Sequence, residues 1–441
     1  MILTFFAKKK DQGSFTSFFI NIQLKIMMIS RRNIIKSLSI LPFANVLMSK
    51  PVQAFASSVP ASRDYFKELG VRTFINAAGT YTKMTGSLMI PEVLEAYRYA
   101  TSEYVMLDEL QDRVGERIAS LLGCEAATVT AGAASAITLG TAGVLTGTDP
   151  EKAAKLPHLE GTGMKTEVIM QKAHYIEYAH AIENCGVNIV YVDTREDLEE
   201  AINKNTGMYY FVNFLNYAGK IQWEEVLEIC QKHHIPTMID CAADVPPAEN
   251  LSKYTSMGFD MVCFSGGKGL RGPQSAGLLL GKKKYIEAAR VSAPPRGNTI
   301  GRGMKVNKEE ILAMMVAVEA YLNRDHEKDR NLWESQIRLI NDTIKSVDGI
   351  TTQIDVPVLA NHVPTLNISW NRKQVKFSGD EIKEVLRKGH PSIELAGGGE
   401  NSVSITTWMM APGEERIVAT RLRDALQNVT PGYLFDEDEK Y

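Results

Sequence analysis

A lysine on a glycine-rich turn is the residue in this chain with the clearest chemical potential. The turn Ser-Gly-Gly at 265–267 places Lys268 directly after an apolar run at 261–264. Glycine permits backbone conformations that other residues avoid, so such a turn can close tightly around a bound group. A P-loop would require glycine where Val262 stands and Ser or Thr where Gly269 stands, which excludes that motif. Two interpretations remain: a lysine that forms a Schiff base, and an ordinary loop lysine.

An aspartate precedes this lysine by one predicted strand. Asp240 lies at the carboxyl end of an apolar run at 236–241. A buried aspartate is costly unless a cation or strong hydrogen-bond donors face it. A protonated pyridine nitrogen would be such a partner. The alternative is that Asp240 caps the following turn, where Asp244 also lies.

A run of small residues follows an earlier predicted strand at 126–130. Ala131, Gly132, Ala133 and Ala134 begin an alanine-rich helix. Backbone N–H groups at a helix N-terminus can bind a phosphate group. Small residues are equally expected where a helix packs tightly on a sheet, so this feature alone does not decide between binding and packing.

Alternating strands and helices organise the first two thirds of the chain. The apolar runs that we interpret as strands lie at 126–130, 167–170, 188–192, 208–214, 236–241, 261–265 and 276–280. Nearly continuous apolar strands between helices predict a mostly parallel, seven-stranded sheet covered on both faces. The last two strands are too close for a helical crossover, so one of them is predicted to be antiparallel.

The predicted sheet brings the three chemical features together. In open α/β sheets, ligands bind outside the carboxyl ends of the strands. Lys268, Asp240 and residues 131–134 all lie at such ends. An amine for an aldehyde, a partner for a pyridine nitrogen and a phosphate site are what pyridoxal 5'-phosphate (PLP) requires.

The chain is predicted to have an export signal and two domains. Residues 1–56 contain paired arginines at 31–32, an apolar run and Ala-x-Ala at 54–56, which predicts a twin-arginine signal and a periplasmic protein, with a cytoplasmic location as the alternative. The apolar run is too short for a permanent membrane span. A large domain is expected at 57–300 and a smaller C-terminal α/β domain at 301–441, beginning with long helical sequence that breaks near 323–325.

Charge and cysteine content narrow the class of protein. Residues 1–56 hold eight Lys or Arg and one acidic residue, so the remainder has a formal net charge of about −10. A strongly acidic chain is a poor nucleic-acid binder. The five cysteines are scattered without a Cys-x-x-Cys pair, which predicts buried free thiols and no metal site.

Several stretches resemble the family of bacterial selenocysteine synthase (seryl-tRNA selenium transferase) and D-glucosaminate-6-phosphate ammonia lyase, which are fold-type-I PLP-dependent enzymes. The resembling stretches are 75–82, 108–111, 115–117, 130–135, 264–274 and 300–306. The resemblance implies a Schiff base at Lys268, Asp240 at the pyridine nitrogen, and the amides of Ala131, Gly132, Ala133 and Ala134 with Ser265 at the phosphate. It also implies a homodimer or larger homo-oligomer.

Other site assignments are less specific. By the same resemblance Asn213 would lie near the ring hydroxyl, although a strand-end cap is an equal alternative. His174 is a candidate to stack on the ring, with Tyr175 and Tyr178 as alternatives and a plain loop histidine as another. Arg271, Arg302 and Lys305 are candidates to bind anionic groups of the substrate, with ordinary surface charge as the alternative.

The expected activity is a PLP-dependent α,β-elimination from a β-hydroxy amino acid or amino-sugar acid, which yields a 2-oxo acid and ammonia. A selenium transferase, an aminotransferase or racemase, and a PLP-fold binding protein without catalysis are the alternatives. The predicted export and acidity favour a small-molecule substrate over tRNA.

Overall fold

The computed structural model describes residues 63–428, with the side chain of residue 428 excepted. Its strands are β1 Phe74–Ala77, β2 Ala126–Thr130, β3 Glu167–Gln171, β4 Asn188–Val192, β5 Thr206–Val212, β6 Thr237–Asp240, β7 Met261–Ser265, β8 Gly277–Gly281, β9 Ile350–Asp355, β10 Thr365–Trp370, β11 Ser392–Leu395 and β12 Ser402–Thr406. Its helices are α1 Tyr65–Glu68, α2 Pro91–Thr101, α3 Leu107–Leu122, α4 Gly132–Thr146, α5 Pro150–Ala153, α6 His180–Glu183, α7 Arg195–Ala201, α8 Trp223–Lys232, α9 Asn250–Met257, α10 Lys283–Val291, α11 Lys308–Leu322, α12 His326–Ile344, α13 Gly379–Lys388 and α14 Glu414–Asn428.

The large sheet has seven strands in the order β2-β8-β7-β6-β5-β3-β4. β8 is antiparallel to both β2 and β7, and the other pairs are parallel. The predicted sheet and its antiparallel strand are thereby confirmed. Because β7 and β8 are joined by a short connection, no helix can return the chain for a parallel pairing.

The large sheet is buried on both faces. Every residue of β5 is buried, and successive residues belong to different apolar clusters. Tyr209 and Phe211 pack in one cluster, whereas Tyr210 and Val212 pack in the other. Alternate residues of a strand point to opposite faces, so this division places a helical layer over each side of the sheet.

Local signals explain where several helices begin and end. α3 ends at Gly123, whose φ of 66° suits glycine at a helix C-terminus. α11 begins after Asn307, whose side chain accepts a hydrogen bond from the Glu310 amide in a capping box. The break between α11 and α12 falls at 323–325, as the sequence predicts.

A second layer of strands forms the C-terminal part. β9, β10 and β12 make an antiparallel sheet in the order β12-β10-β9. β1 pairs in parallel with β11, which was not predicted, and Ile75 and Ala77 pack in the apolar cluster of this part. The loop that follows β1 therefore begins next to the C-terminal strands and not next to the large sheet.

The domain boundary near residue 300 stays a prediction. Residues 65–428 belong to one compact unit. The predicted export signal at 1–56 lies outside the described residues. Within 63–428, none of the helices combines the length and apolar composition that crossing a bilayer demands. The five cysteines carry free thiols, as predicted, and four of them are buried.

Candidate active site

The turn that carries Lys268 is held by its own backbone. The Gly266 amide donates to the Ala276 carbonyl oxygen at 2.8 Å. A Cβ atom built on Gly267 would lie 2.4 Å from the Cα of Gln274, closer than any side chain tolerates. Glycine is therefore required at Gly267 so that the two arms of the turn can approach. Lys268 itself is half-buried at the end of β7.

Asp240 ends the neighbouring strand β6 and is 7% exposed. Its Oδ2 accepts a hydrogen bond from the Tyr210 hydroxyl at 2.9 Å, and its Oδ1 accepts one from the Ala242 amide at 2.9 Å. Burial, followed by the Asp240 carboxylate, raises the pKa of Tyr210 well above its usual value. The phenol therefore keeps the proton that it donates, and the two donors together with the more distant Cys263 thiol orient the carboxylate.

The structure brings Lys268 into the electrostatic surroundings of Asp240. The lysine charge acts on the Cys263 thiol and on Asp244. The Cys263 Sγ lies 3.5 Å from Oδ1 of Asp240. Because Asp240 and Cys263 are paired on adjacent parallel strands, the amine and the carboxylate lie at one edge of the sheet.

Asp244 is a second buried acid in these surroundings, at 1% exposure. Burial raises its pKa to about 7, and the Asp240 charge acts in the same direction, whereas Asn213 and Lys268 oppose the shift. Its Oδ1 accepts hydrogen bonds from Asn213 Nδ2 at 2.7 Å and from the Ala360 amide at 3.1 Å. Asp244 thus links the large sheet to the C-terminal part.

Asn213 is fully buried, and its side chain is hydrogen-bonded to other residues of the protein. Its Nδ2 donates to Asp244 and, at 2.6 Å, to the Tyr254 hydroxyl oxygen, while its Oδ1 accepts from Trp223 Nε1 at 2.9 Å. These bonds favour the strand-end structural role over a contact with a cofactor hydroxyl. A place beside the ring hydroxyl is not supported by this geometry.

His174 is also fully buried, so its ring does not face a ligand cavity. Its Nδ1 accepts a hydrogen bond from the Val212 amide at 3.3 Å, and its ring meets Phe211 edge-on at 4.5 Å. Burial lowers the pKa of His174 to about 4, so the imidazole is neutral at physiological pH. Tyr178 lines the cavity beside Lys268, and its stacking on a cofactor ring stays a prediction.

The predicted phosphate-binding residues lie together. Gly132 opens α4 with a φ of 81°, and Ala131 and Ala133 are half-buried. Ser265 pairs with Gly277, and a Cβ on Gly277 would lie 2.5 Å from the Gly132 carbonyl carbon. This close approach brings the Ser265 hydroxyl next to the start of α4, where backbone amides favour an anion.

The three predicted anion-binding cations lie elsewhere. Arg271 adopts a φ of 52°, and its Nε donates to the Leu88 carbonyl oxygen at 3.1 Å. Burial, with a smaller effect of Arg324, lowers the pKa of Arg271. Arg302 and Lys305 are exposed, on and just after a 3-10 turn. None of the three lines the cavity beside Lys268.

That cavity has a volume of about 440 Å³. Its lining comes from stretches 78–82, 357–365 and 396–408, together with Tyr178 and Lys268, and most of it was not predicted from the sequence. The lining residues that carry a hydroxyl or an indole N–H are Thr80, Tyr81, Thr82, Tyr178, Thr365, Ser404, Thr406 and Trp408. None of the described residues that line it is acidic, and Lys268 is the one cation among them.

Two parts of this site can be distinguished. The sheet edge comprises Asp240, Ser265, Lys268 and residues 131–134. The C-terminal wall comprises Thr406 and Trp408, which face the cavity from the end of β12. The sheet edge fits PLP: an amine, a buried and oriented carboxylate, and open amides beside a hydroxyl match the cofactor's aldehyde, ring nitrogen and phosphate. In residues 63–428, no cluster of three or more His, Cys, Asp or Glu side chains could hold a metal ion.

Comparison with known proteins agrees with this geometry. D-glucosaminate-6-phosphate ammonia lyase of Salmonella typhimurium is 27% identical over 379 residues, which cover 82% of this chain and 98% of the lyase. L-seryl-tRNA(Sec) selenium transferase of Clostridium botulinum is 24% identical and covers 82% of this chain but 76% of the transferase. A solved structure of a D-glucosaminate-6-phosphate ammonia-lyase matches with a TM-score of 0.72 at 26% identity, covering 83% of this chain and 99% of that one.

These matches confirm the predicted fold class and the family resemblance. The family model described as L-seryl-tRNA selenium transferase matches residues 74–381, which include β1, the whole large sheet and the lysine turn. Since this range is well over half of the chain, the protein belongs to the L-seryl-tRNA selenium transferase family.

Proposed function

We propose that this protein is a PLP-dependent lyase that acts on a β-hydroxy amino acid or an amino-sugar acid and releases ammonia and a 2-oxo acid. The observation that carries the proposal is the placement of Lys268 and Asp240 after adjacent parallel strands, at one edge of the sheet. The nearly full-length match to an ammonia lyase supports elimination as the reaction.

The side chains of the sheet edge have distinct tasks. PLP, when bound, supplies an electron-accepting ring. The Asp240 carboxylate, oriented by Tyr210 and Ala242, would accept a hydrogen bond from the ring nitrogen. The amides of residues 131–134 and the Ser265 hydroxyl would hold the phosphate. The Lys268 amine would take the proton from the substrate Cα and give a proton to the Cβ hydroxyl, which leaves as water.

The composition of the cavity supports a hydroxylated, anionic substrate. Hydroxyl groups of Thr80, Tyr81, Thr82 and Ser404 are distributed over its lining, and none of the described lining residues is acidic. Such a lining offers hydrogen bonds to substrate hydroxyls and does not repel a carboxylate.

A selenium transferase is the second candidate, favoured by the family match at 74–381. Two observations weigh against it. The chain covers 98% of the ammonia lyase but 76% of the selenium transferase relative. In addition, the formal charge of about −10 beyond residue 56 opposes tRNA binding. An aminotransferase or racemase would use the same sheet edge, and product analysis separates them.

We also propose that the protein is exported and assembles as a homo-oligomer. The paired arginines at 31–32 and Ala-x-Ala at 54–56 support export to the periplasm. Replacing both arginines by lysine should retain the protein in the cytoplasm, as cell fractionation would show. Gel filtration with light scattering measures the assembly, and an active monomer would contradict the oligomer.

The test of the activity is a spectrum followed by a substrate screen. The purified protein with PLP should absorb at about 420 nm and release a 2-oxo acid from D- or L-β-hydroxy amino acids. Lys268→Ala should lose both the absorbance band and the release of 2-oxo acid. Lys284→Ala, which changes an exposed lysine on α10, is the matched control and should retain both. A band that survives Lys268→Ala would exclude this lysine, and pure protein without any band would favour a non-catalytic binding protein.

A further inference from the structure

The C-terminal wall contains two buried polar atoms without partners. Thr406 Oγ1 and Trp408 Nε1 make no hydrogen bond to any described residue, although their side chains are only 8% and 5% exposed. Buried polar atoms are nearly always paired, so an unpaired one requires an explanation. Both side chains line the same cavity as Lys268.

The two atoms converge on one point. A Cβ built on Gly79 would lie 3.4 Å from Trp408 Nε1 and 3.6 Å from Thr406 Oγ1. Gly79 has no Cβ, so no side-chain atom of this residue occupies that point. Its loop is fixed by Asn76, whose Oδ1 accepts hydrogen bonds from the Gly79 amide at 2.9 Å and from the Ala78 amide at 3.1 Å.

The chemistry of these atoms points to an anion with two oxygens. The Trp408 Nε1–H can only donate, and the Thr406 hydroxyl can donate as well. Two donors that converge within a cavity match the two oxygens of a carboxylate. The cations that the sequence offers for this task, Arg271, Arg302 and Lys305, do not line the cavity.

We propose that Thr406 and Trp408 bind the α-carboxylate of the amino acid substrate and so determine specificity for free acids. The inference rests on the proposed PLP-dependent function, because the carboxylate must reach this wall while its amino group is at Lys268. These two neutral donors are nearly buried and form hydrogen bonds only when an acceptor enters. Binding therefore gains more free energy from a carboxylate, which only accepts, than from a group that itself donates.

The test compares an acid with its amide. The PLP-loaded protein is titrated with D- and L-serine and with the corresponding serinamides. Calorimetry and the absorbance at about 420 nm measure binding. Wild type should bind serine of one configuration more tightly than its amide. Thr406→Val and Trp408→Phe should each weaken serine binding by about tenfold or more and leave serinamide binding within about twofold, because each removes one donor to a charged group.

A matched variant and a stability measurement separate binding from folding. Thr343→Val on α12 removes a hydroxyl that donates to the Leu339 carbonyl oxygen at 2.8 Å. Thr343 does not line the cavity, so this variant should not change serine affinity. Thr406→Val should melt no lower than wild type, because the lost hydroxyl has no partner.

The outcomes are distinct. Equal losses for serine and serinamide, unchanged serine affinity in both variants, or no serine binding by wild type would overturn the inference. A wild-type protein without the absorbance band would instead refute the proposed function. A normal band with unaffected variants refutes only the role of Thr406 and Trp408.

Discussion

The sheet edge and the C-terminal wall satisfy their polar groups in opposite ways. At the sheet edge, Asp240 accepts hydrogen bonds from Tyr210, Ala242 and Cys263, and Asp244 and Asn213 behind it are hydrogen-bonded to each other. On the wall, Thr406 Oγ1 and Trp408 Nε1 have no hydrogen-bond partner within residues 63–428. A network that is complete without a ligand holds its groups rigidly in place. Unpaired donors gain most when a ligand arrives.

This difference separates reaction from specificity. The sheet edge carries the groups that any PLP reaction at Cα needs, and it lies on strands of the most deeply buried sheet in the described residues. The wall belongs to the C-terminal part and, by our proposal, binds the carboxylate of the substrate away from the sheet edge. Substitutions at the sheet edge should therefore abolish activity, whereas wall substitutions should change which compound is bound.

The largest expected effect tests the sheet edge. Asp240→Asn should lower kcat by about a hundredfold or more, because an amide cannot keep the ring nitrogen protonated in the way that a carboxylate does. The fold should survive, since an amide oxygen still accepts from Tyr210 or Ala242. Steady-state kinetics and the absorbance spectrum measure the change. A loss confined to KM would show that Asp240 binds without assisting the reaction.

A smaller effect concerns the pH dependence of stability. The pKa of Asp244 is raised to about 7 in the folded state from an ordinary value near 3.8, so the folded protein binds this proton more tightly than the unfolded chain. The free energy of unfolding should therefore fall as pH rises from about 4 to 7. Above that range Asp244 should cause no further change. Asp244→Asn keeps the acceptor for Asn213 and Ala360 and should flatten this part of the curve.

Thermal melting of wild type and Asp244→Asn between pH 4 and 8 is the corresponding measurement. Curves that run parallel across this range would show that Asp244 does not contribute. Asp325→Asn is a control, because it makes the same replacement at an exposed carboxylate, the N-cap of α12.

The smallest effect contrasts two threonines directly. Thr130, at the end of β2, is 2% exposed and donates to the Gly132 carbonyl oxygen at 2.9 Å. Thr130→Val should cost about 1 kcal/mol of folding free energy, the usual contribution of such a bond. Thr406→Val should cost nothing, because its hydroxyl has no partner. Denaturant unfolding of both variants measures the difference, and equal losses would contradict the comparison.

Much of the sheet edge could be predicted from the sequence. Apolar runs identify β6 and β7, and the polar residues that end them, Asp240 and Ser265, stand out against those runs. Lys268 is marked by its glycines, which the tight turn requires. Parallel strands end at a common edge, so short patterns along the chain were enough to place these residues together.

Residue type alone does not distinguish a ligand-binding side chain from a structural one, because the distinction depends on burial. His174 and Asn213 follow strands and have suitable chemistry, yet both are fully buried and bonded within the protein. Arg302 is placed between glycines, but it is exposed and does not line the cavity of its own chain. No periodicity in a sequence reports which polar side chains already have partners.

The sequence by itself determined the strands of the large sheet and the lysine with its aspartate, because these follow from local patterns and from the geometry of parallel strands. Only the tertiary structure decided that β1 pairs with β11 and that residues 78–82 lie beside Thr406 and Trp408 in the cavity lining. These contacts join segments more than 300 residues apart. Their pairing depends on how whole layers pack, which the pattern within either segment does not encode.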